Sequence, residues 1–561
     1  MIDKGTKLCI HTTFLTAIAS GETGIRHYSD VHLSIIASGE IYNASYTDLA
    51  LYLATAYRQW GKQLPAQLYG AGWWFIIYDK QTGEIFAAVE QYGDTSLYYA
   101  VVENHLYIAR NLADFRKAIP VSTDFNYIIN GMVSTTLNNV GATHFKEVFY
   151  LPLGHTLSYA DGSLKKEKYW FPENITATSG KNKEALYEQL YALYQEAVAR
   201  CLNGAKNPAA LLSGGLDSGS VVTLAAEILA GRNQSLHTVS HVPKYTGIQS
   251  IRPWVNDESP YISRILSRHK NLNAVLLKSE NTCPIESMEQ FMQVCEGFVV
   301  GAGNLFWILD SYRHLQQLGA DVCLSGKHGN YALSGTGLPH LLPLYHPYYT
   351  QRPRRIISRL IKPFRKPQQE EPFTHAYLSA EVITPDLQKR VSLQAQAAGG
   401  FRSQQKSRVA SLNLANYSHL RNVHEFRNRF GFVLKDPTAD LRLIECCLSL
   451  PNEMYYGPKG EGRYLMRKIM HNSMPHSVLY DNTRGRQASD ISLRLIDSSQ
   501  KIKTTIETLA ADTDFCTIVD LPKLQKTAKS ITGGTDIGYY QAINFCKTIM
   551  PGLFMQYLKK G

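Results

Sequence analysis

One stretch constrains this chain more than any other: residues 210 to 222, ALLSGGLDSGSVV. The apolar run at 209 to 212 suits a buried parallel strand, Ser213, Gly214, Gly215 and Ser218 suit a tight anion-binding turn, and 219 to 228 continues as an apolar helix. Two glycines let the backbone approach an anion without a Cβ in the way. The hydroxyls of Ser213 and Ser218 add donors, and the helix that follows offers free N–H groups and the positive end of its dipole. Such a loop holds pyrophosphate. Asp217 inside it would repel a bare phosphate, so its presence implies a Mg²⁺ bridging carboxylate and phosphate oxygens. The loop lacks the GxxxxGK[ST] pattern of the Walker type.

SGGLDS at 213 to 218 resembles the pyrophosphate loop of the asparagine synthetase superfamily. The resemblance implies ATP cleavage between the α and β phosphates to make an acyl-adenylate. The competing reading is a Gly/Ser-rich turn with no ligand.

With 561 residues the chain is too long for one core, and its 44% hydrophobic and 19% charged content is that of a globular protein. The net charge of +11 admits nucleic acid, a membrane surface or an anionic substrate such as ATP or an acidic peptide. No zinc-finger or RNA-binding signature is present, so nucleic acid is not expected. Nine scattered cysteines without a CxxC pair read as reduced thiols of a cytoplasmic protein. The opening 21 residues mimic a signal peptide faintly, but His11, Thr12 and Thr13 interrupt the run, and a first strand is the better reading. No stretch reaches the roughly 18 apolar residues of a membrane helix, so no integral membrane segment is expected.

Residues 1 to about 170 alternate strand patterns with turns. DKQTG at 79 to 83 and ENH at 103 to 105 are hairpin signals, and a helix is expected over 46 to 60. GEIYN at 39 to 43, YGAGWWFIIYD at 69 to 79 and YGDTSLYY at 92 to 99 resemble the superfamily's N-terminal glutamine amidotransferase domain. A glutaminase of that type needs a cysteine directly after the initiator methionine, where its α-amine serves as base. Position 2 is Ile, Cys9 lies in a strand-like run, and the Asn that precedes GEIYN in the family is Ser38. The domain is therefore expected to be a degenerate scaffold.

The fold class expected is α/β: a degenerate Ntn-type amidotransferase-like αββα sandwich over 1–175, then an adenine-nucleotide α-hydrolase-like (PP-loop) parallel-sheet synthetase domain over 185–561. A variable basic insert is expected at about 340–410. A helix at 182 to 203 links the halves. Beyond the pyrophosphate loop come a strand at 235 to 242, a helix at 257 to 269 with acids near its N-terminus, a helix at 303 to 319, and a strand and loop at 320 to 335. By resemblance the nucleotide lies on Leu212, Ser213, Gly214, Gly215, Leu216, Asp217 and Ser218, on Ser240 of the second strand, and on Ser325 and Gly326. Asparagine synthetases have LSGxGxDE at the last of these loops, the aspartate being the second Mg²⁺ ligand. Here that position is Asn330, so the expected metal residues are Asp217 and Asn330. An amide oxygen can coordinate Mg²⁺ but brings no charge.

Asn304 and Trp307, LSGKHGN at 324 to 330, DPTADLRLIECCLSLP at 436 to 451 and RGRQASD at 484 to 490 resemble one branch, the asparagine synthetase-like macrocyclases of lasso peptide biosynthesis. The resemblance implies an AMP- and pyrophosphate-forming ligase that adenylates an Asp or Glu side chain of a precursor peptide. The peptide's own N-terminal amine then closes a macrolactam, and a leader-binding protein and a leader protease are the implied partners. Family members place a cation against the α-phosphate; Arg484 and Arg486 are the candidates, and the choice stays open. In β-lactam-forming relatives a Tyr/Glu pair deprotonates the amine; the positions correspond roughly to Lys327 and to RNVHE at 421 to 425, which offers His424 and Glu425. Solvated roles compete for both. Asp440 is expected to cap the helix that follows it, and Arg463 and Arg467, four apart on one face, are expected to be solvated.

RPRRIISRLIKPFRK at 352 to 366 reads as an amphipathic helix with its basic face solvated and its apolar face packed. Peptide or partner docking and membrane-surface binding are the functional alternatives. QAQAAGGFRSQQKS at 394 to 407 reads as a mobile loop fit to be a lid. The rival functions are a small-molecule amide synthetase of the asparagine or β-lactam kind, a nucleotide-binding pseudoenzyme, and a tRNA-modifying ATP pyrophosphatase.

Overall fold

The computed structural model describes residues 8–11, 14–17, 24–178, 182–295, 297–299, 301–361, 377–399, 404–416 and 429–560. Backbone contacts divide the chain into two units, one of Met1–Asn174 with Gln293–Phe298 and Asn413–Asn428, the other of Ile175–Met292, Val299–Leu412 and Arg429–Gly561.

The first unit is a two-sheet sandwich. One sheet orders its strands Phe14–Ala17, Leu8–His11, His105–Ala109, Tyr98–Val102 and Phe149–Tyr150; the other orders them Ser163–Lys168, His155–Ala160, Ile85–Val89, Gly70–Asp79, Leu33–Ile41 and Arg26–Ser29. Alternation along the strands builds two cores. Ile36, Trp74, Ile76 and Ala87 meet Leu97, Tyr99, Leu106 and Ile108 between the sheets, while Ile35, Phe75, Ile77 and Phe86 face the helix Leu49–Trp60. Asp48 caps that helix, its carboxylate accepting from Leu51 N–H at 2.8 Å. Both expected hairpins form: Gly70–Asp79 pairs with Ile85–Val89, and Tyr98–Val102 with His105–Ala109 around left-handed Glu103 and Asn104. Residues 8–11 are a strand, as expected, and Cys9 pairs there with Tyr107. GEIYN owes its glycine to a bulge: Gly39 has φ +107°, and a Cβ on it would meet Trp73 Cα at 2.3 Å.

The second unit is built on a five-stranded parallel sheet, ordered Leu272–Leu277, Leu236–His241, Pro208–Leu211, Val322–Leu324 and Val433–Lys435. The segment Pro208–Leu211 is the central strand and Leu216–Ala230 the helix after it, so the expected strand, loop and helix are present. Together with the sandwich, this parallel sheet matches the expected α/β class. Lys183–Cys201 is a helix capped by Asn182, and helices also form at Ser259–Leu266 and Leu305–Gln317. Of the nine cysteines, eight have described side chains and all eight are free thiols. Among the described residues no helix is long and apolar enough to cross a membrane.

Two expectations are corrected. Residues 394 to 407 do not form a loop throughout: Pro385–Gly399 and Gln404–Asn416 are helices, and 400–403 lie outside the described residues. Alanine and glutamine favour helix, which carries the pattern through to Gly399. Arg408 then anchors the second helix, buried, donating to the carbonyls of Cys447 at 2.8 Å and Leu450 at 3.1 Å. The basic segment does form a helix, Arg354–Ile361, with 362–366 outside the described residues, but its faces are reversed. Arg355 and Arg359 turn inward, onto the rings of Tyr348 and Tyr349 and the carbonyls of Tyr348, Leu342 and His340. Arginine serves this packing because its planar cation stacks on aromatic faces while its N–H groups satisfy loop carbonyls.

Candidate functional site

In an open parallel sheet the carboxyl ends of the strands are where loops converge. Here those ends carry LSGGLDS after Leu211, His241, SGKHGN after Leu324, and Asp436 after Lys435.

The SGGLDS loop is pre-shaped by its own hydroxyls. Ser218 Oγ accepts from Ser213 N–H at 3.0 Å and lies 2.8 Å from Ser213 Oγ, which in turn accepts from Gly215 N–H at 3.2 Å. Leu212 and Leu216 are buried anchors on either side, and Leu212 N–H continues the sheet to Val239 O at 3.0 Å. Ser240, also buried, lies on the neighbouring strand. Gly215 is the N-cap of the helix and contributes no side chain, so the first-turn N–H groups stay available to an anion.

Asp217 stands in that first turn with its carboxyl buried, which pushes its pKa up to about 6. A hydrogen bond from Ser334 and the charge of Arg463 oppose the rise, while Asp436 adds to it. Its Oδ1 makes no hydrogen bond among the described residues. An orphaned carboxylate oxygen fits a cation ligand. Asn330 is exposed, and its Oδ1 lies 3.4 Å from the Ser334 hydroxyl. Ser334 thus stands between the two expected metal residues. Among the described residues no group of three or more His, Cys, Asp or Glu is placed to hold a metal ion. One carboxylate and one amide, completed by phosphate oxygens and water, is a donor set suited to Mg²⁺.

The LSGKHGN loop packs directly onto this turn. A Cβ at Gly326 would meet the Asp217 carbonyl carbon at 2.7 Å and Ser218 N at 2.8 Å; one at Gly329 would meet Asp217 Oδ1 at 2.2 Å. Asp436 holds the loop in place: its Oδ2 accepts from His328 N–H at 3.0 Å and Ser325 Oγ at 3.2 Å, while Oδ1 caps Thr438. Lys327 is half-buried, its N–H donating to Ser325 Oγ at 3.2 Å.

The cationic candidates separate. Arg486 is enclosed by the rings of Trp254, Tyr539 and Tyr540, 4.5 to 5.5 Å from its guanidinium carbon. Arg484 is exposed, on a two-residue strand paired with Trp254–Val255. Its charge acts on Arg463, whose own ionised form is disfavoured first by burial and then by Arg484, and favoured by Asp217. Arg463 and Arg467 are therefore not the solvated pair expected. Arg467 is buried, donating to Gly462 O and to Asp481 O and Asn482 Oδ1, because the helix Tyr464–Ile469 turns that face inward. Arg463 has a left-handed backbone, φ +57°, a conformation that costs a residue with a Cβ about 1 kcal/mol.

Sequence reasoning also missed Glu258. Its buried carboxyl accepts a hydrogen bond from Gly214 N–H, and burial pushes its pKa up to about 7. A Cβ on Gly485 would come within 2.1 Å of its Oε1, so the carboxyl is wedged between the pyrophosphate loop and the Arg484–Gly485 strand. The acids at 257 and 258 were a visible signal; their direction was not. Asp436 could have been found as an Asp-Pro pair directly after a strand. Asp440 behaves as expected, capping Leu441–Ser449 through Arg442 N–H at 3.0 Å. Trp307 donates its indole N–H to Asn304 Oδ1 at 3.1 Å and stacks near His241. Asp490 of RGRQASD pairs with buried Arg494 at 2.9 Å and accepts from Lys244 N–H at 2.7 Å. His424 and Glu425 lie outside the described residues.

Known proteins bear on this geometry. Residues 189–527 match the asparagine synthase family model, and 25–170 match the glutamine amidotransferase domain model. Among curated proteins, the chain is similar to asparagine synthetase [glutamine-hydrolyzing] 3 of Bacillus subtilis, 21% identical over 485 residues, 80% of this chain and 74% of that protein. Asparagine synthetase [glutamine-hydrolyzing] 2 of the same organism is 23% identical over 268 residues, 45% of this chain and 34% of its own length. The amidase chyE of Penicillium rubens is 24% identical over 221 residues, 36% and 32% of the two chains. The chain thus spans about a third of the length of two of these relatives. Among solved structures, an NH3-dependent NAD synthetase from Campylobacter jejuni overlaps 44% of this chain and 97% of its own at 14% identity and a TM-score of 0.21. A glutamine phosphoribosylpyrophosphate amidotransferase from B. subtilis overlaps 41% and 51% at 13% identity and a TM-score of 0.18. With its family model matched over more than half its length, the chain belongs to the asparagine synthase family.

Proposed function

We propose that this chain is an ATP-dependent amide ligase that releases AMP and pyrophosphate. The observation that carries the reading is the SGGLDS turn with Asp217 buried in its first helical turn and one carboxylate oxygen left without a hydrogen bond. Mg²⁺ held by Asp217, with Asn330 beside it, would neutralise the pyrophosphate. The loop N–H groups, Ser213 and Ser218 bind the phosphates, and Arg484 with Arg463 faces the charge that builds at the α-phosphate. A substrate carboxylate attacks the α-phosphorus and the bond to the bridging oxygen breaks. An amine then attacks the acyl carbon and expels AMP, losing its proton to a base for which Lys327 and Glu425 are the candidates. Positioning and charge stabilisation carry the rate.

The carboxylate is an Asp or Glu side chain of a precursor peptide, and the amine is that peptide's N-terminus, so the product is a macrolactam. Support comes from the wording of residues 304–307, 324–330, 436–451 and 484–490. A leader-binding protein and a leader protease belong with this reading. A second reading, synthesis of a small amide, is favoured by the similarity to two proteins named asparagine synthetases, one of them matched along 80% of this chain. A pseudoenzyme would have little use for a pre-shaped pyrophosphate loop.

The deciding experiment incubates the protein with ATP, Mg²⁺ and a linear peptide bearing an N-terminal Gly and an Asp or Glu several residues along, with aspartate plus ammonia in parallel. Loss of one water from the peptide with AMP release supports the macrocyclase. AMP formation confined to aspartate and ammonia sinks it in favour of the small-molecule synthetase.

A further inference from the structure

Between Asp321 and Glu370 the sequence holds no acidic residue and eight basic ones, Lys327, Arg352, Arg354, Arg355, Arg359, Lys362, Arg365 and Lys366. The helix Arg354–Ile361 lies in this zone. At about 100° per residue, positions 355 and 359 share one face and 357, 360 and 361 the opposite one. Arg355 and Arg359 are consumed internally by Tyr348, Tyr349 and the carbonyls of 340 to 348. The apolar face is consequently turned outward: Ile357 is 55% exposed, Leu360 58% and Ile361 42%. Arg352 and Arg354 are exposed at the helix start.

An outward apolar face costs stability in water unless something covers it. Arg352 and Arg354 are exposed beside it, and the sequence from 322 to 369 holds no acid, so an anionic cover is the complementary one. It must also accept aliphatic side chains and arginines that keep their heads wet while burying their stems. An anionic lipid surface meets both demands, each basic residue near it contributing about 1 kcal/mol. We propose that this face is a peripheral docking site for anionic membrane, independent of the ligase chemistry.

Co-sedimentation of the full chain with vesicles tests this, using phosphatidylcholine alone and phosphatidylcholine containing a minority of phosphatidylglycerol. The expected result is binding to the anionic vesicles about tenfold or more above the neutral ones, weakened by salt. The double variant Ile357→Ser/Leu360→Ser should lose it, and Arg352→Gln/Arg354→Gln should weaken it about fivefold per charge. Both variants replace exposed side chains, so unchanged thermal unfolding controls for folding. Absence of vesicle binding, or equal binding by wild type and both variants, overturns the proposal. So does a serine variant that still binds vesicles but no longer binds a peptide substrate, which would make the face a peptide site.

Discussion

Gly329 lies so close to Asp217 that a Cβ on it would stand 2.2 Å from the Asp217 Oδ1 that makes no hydrogen bond among the described residues. The two loops that carry the site are thus fitted to each other at the atom on which the metal assignment rests. Gly329→Ala should displace the carboxylate without unfolding the sheet beneath it. ATP–pyrophosphate exchange is expected to fall about 100-fold, with the thermal transition nearly unchanged. Full exchange by this variant would mean that the carboxylate's position is not used.

Asn330 supplies an amide where a second carboxylate would bring charge, and its Oδ1 shares Ser334 with Asp217. Asn330→Asp should lower the Mg²⁺ concentration for half-maximal AMP formation, because a second anion strengthens cation binding. It should also move the acid limb of the pH–rate profile upward, since a new negative neighbour raises the pKa of Asp217 further. A Mg²⁺ titration at fixed ATP, repeated across pH, checks both expectations.

Arg484 and Arg486 are two residues apart and are expected to differ in kind. Arg484→Ala should cut AMP formation about 100-fold with little change in stability. Arg486→Ala should lower stability by about 1–2 kcal/mol through loss of its contacts with Trp254, Tyr539 and Tyr540. Paired measurement of AMP release and denaturant midpoint separates them, and the reverse pattern would exchange their roles.

Burial raises the pKa of Glu258 from 4.5 to about 7. A carboxyl whose pKa is raised in the folded state contributes stability that is full below its unfolded pKa and lost as pH rises through the folded one. The nucleotide-free protein should therefore lose stability between about pH 5 and 8 relative to Glu258→Gln, by on the order of 3 kcal/mol. Parallel unfolding curves for wild type and Glu258→Gln across that range would remove Glu258 from the account.

What the sequence made legible was local. The strand, loop and helix at 208 to 230, the turns at 79 to 83 and 103 to 105, and the cap at Asp440 each rest on residues within a few positions of one another. Glu258, Asp436, Ser334 and Arg463 matter because distant segments converge at the ends of parallel strands, and no local pattern encodes that convergence. Periodicity likewise defined the two faces of Arg354–Ile361 but not which would be covered. Tyr348, Tyr349 and the carbonyls beside them decided it.

The most direct test of the central claim is product analysis with ATP and Mg²⁺ in the presence of an acceptor peptide, wild type beside Asp217→Ala. The account predicts AMP and pyrophosphate from the wild type, none from Asp217→Ala, and the same far-ultraviolet circular dichroism for both. ADP and phosphate as products, or AMP release that survives Asp217→Ala, would contradict it.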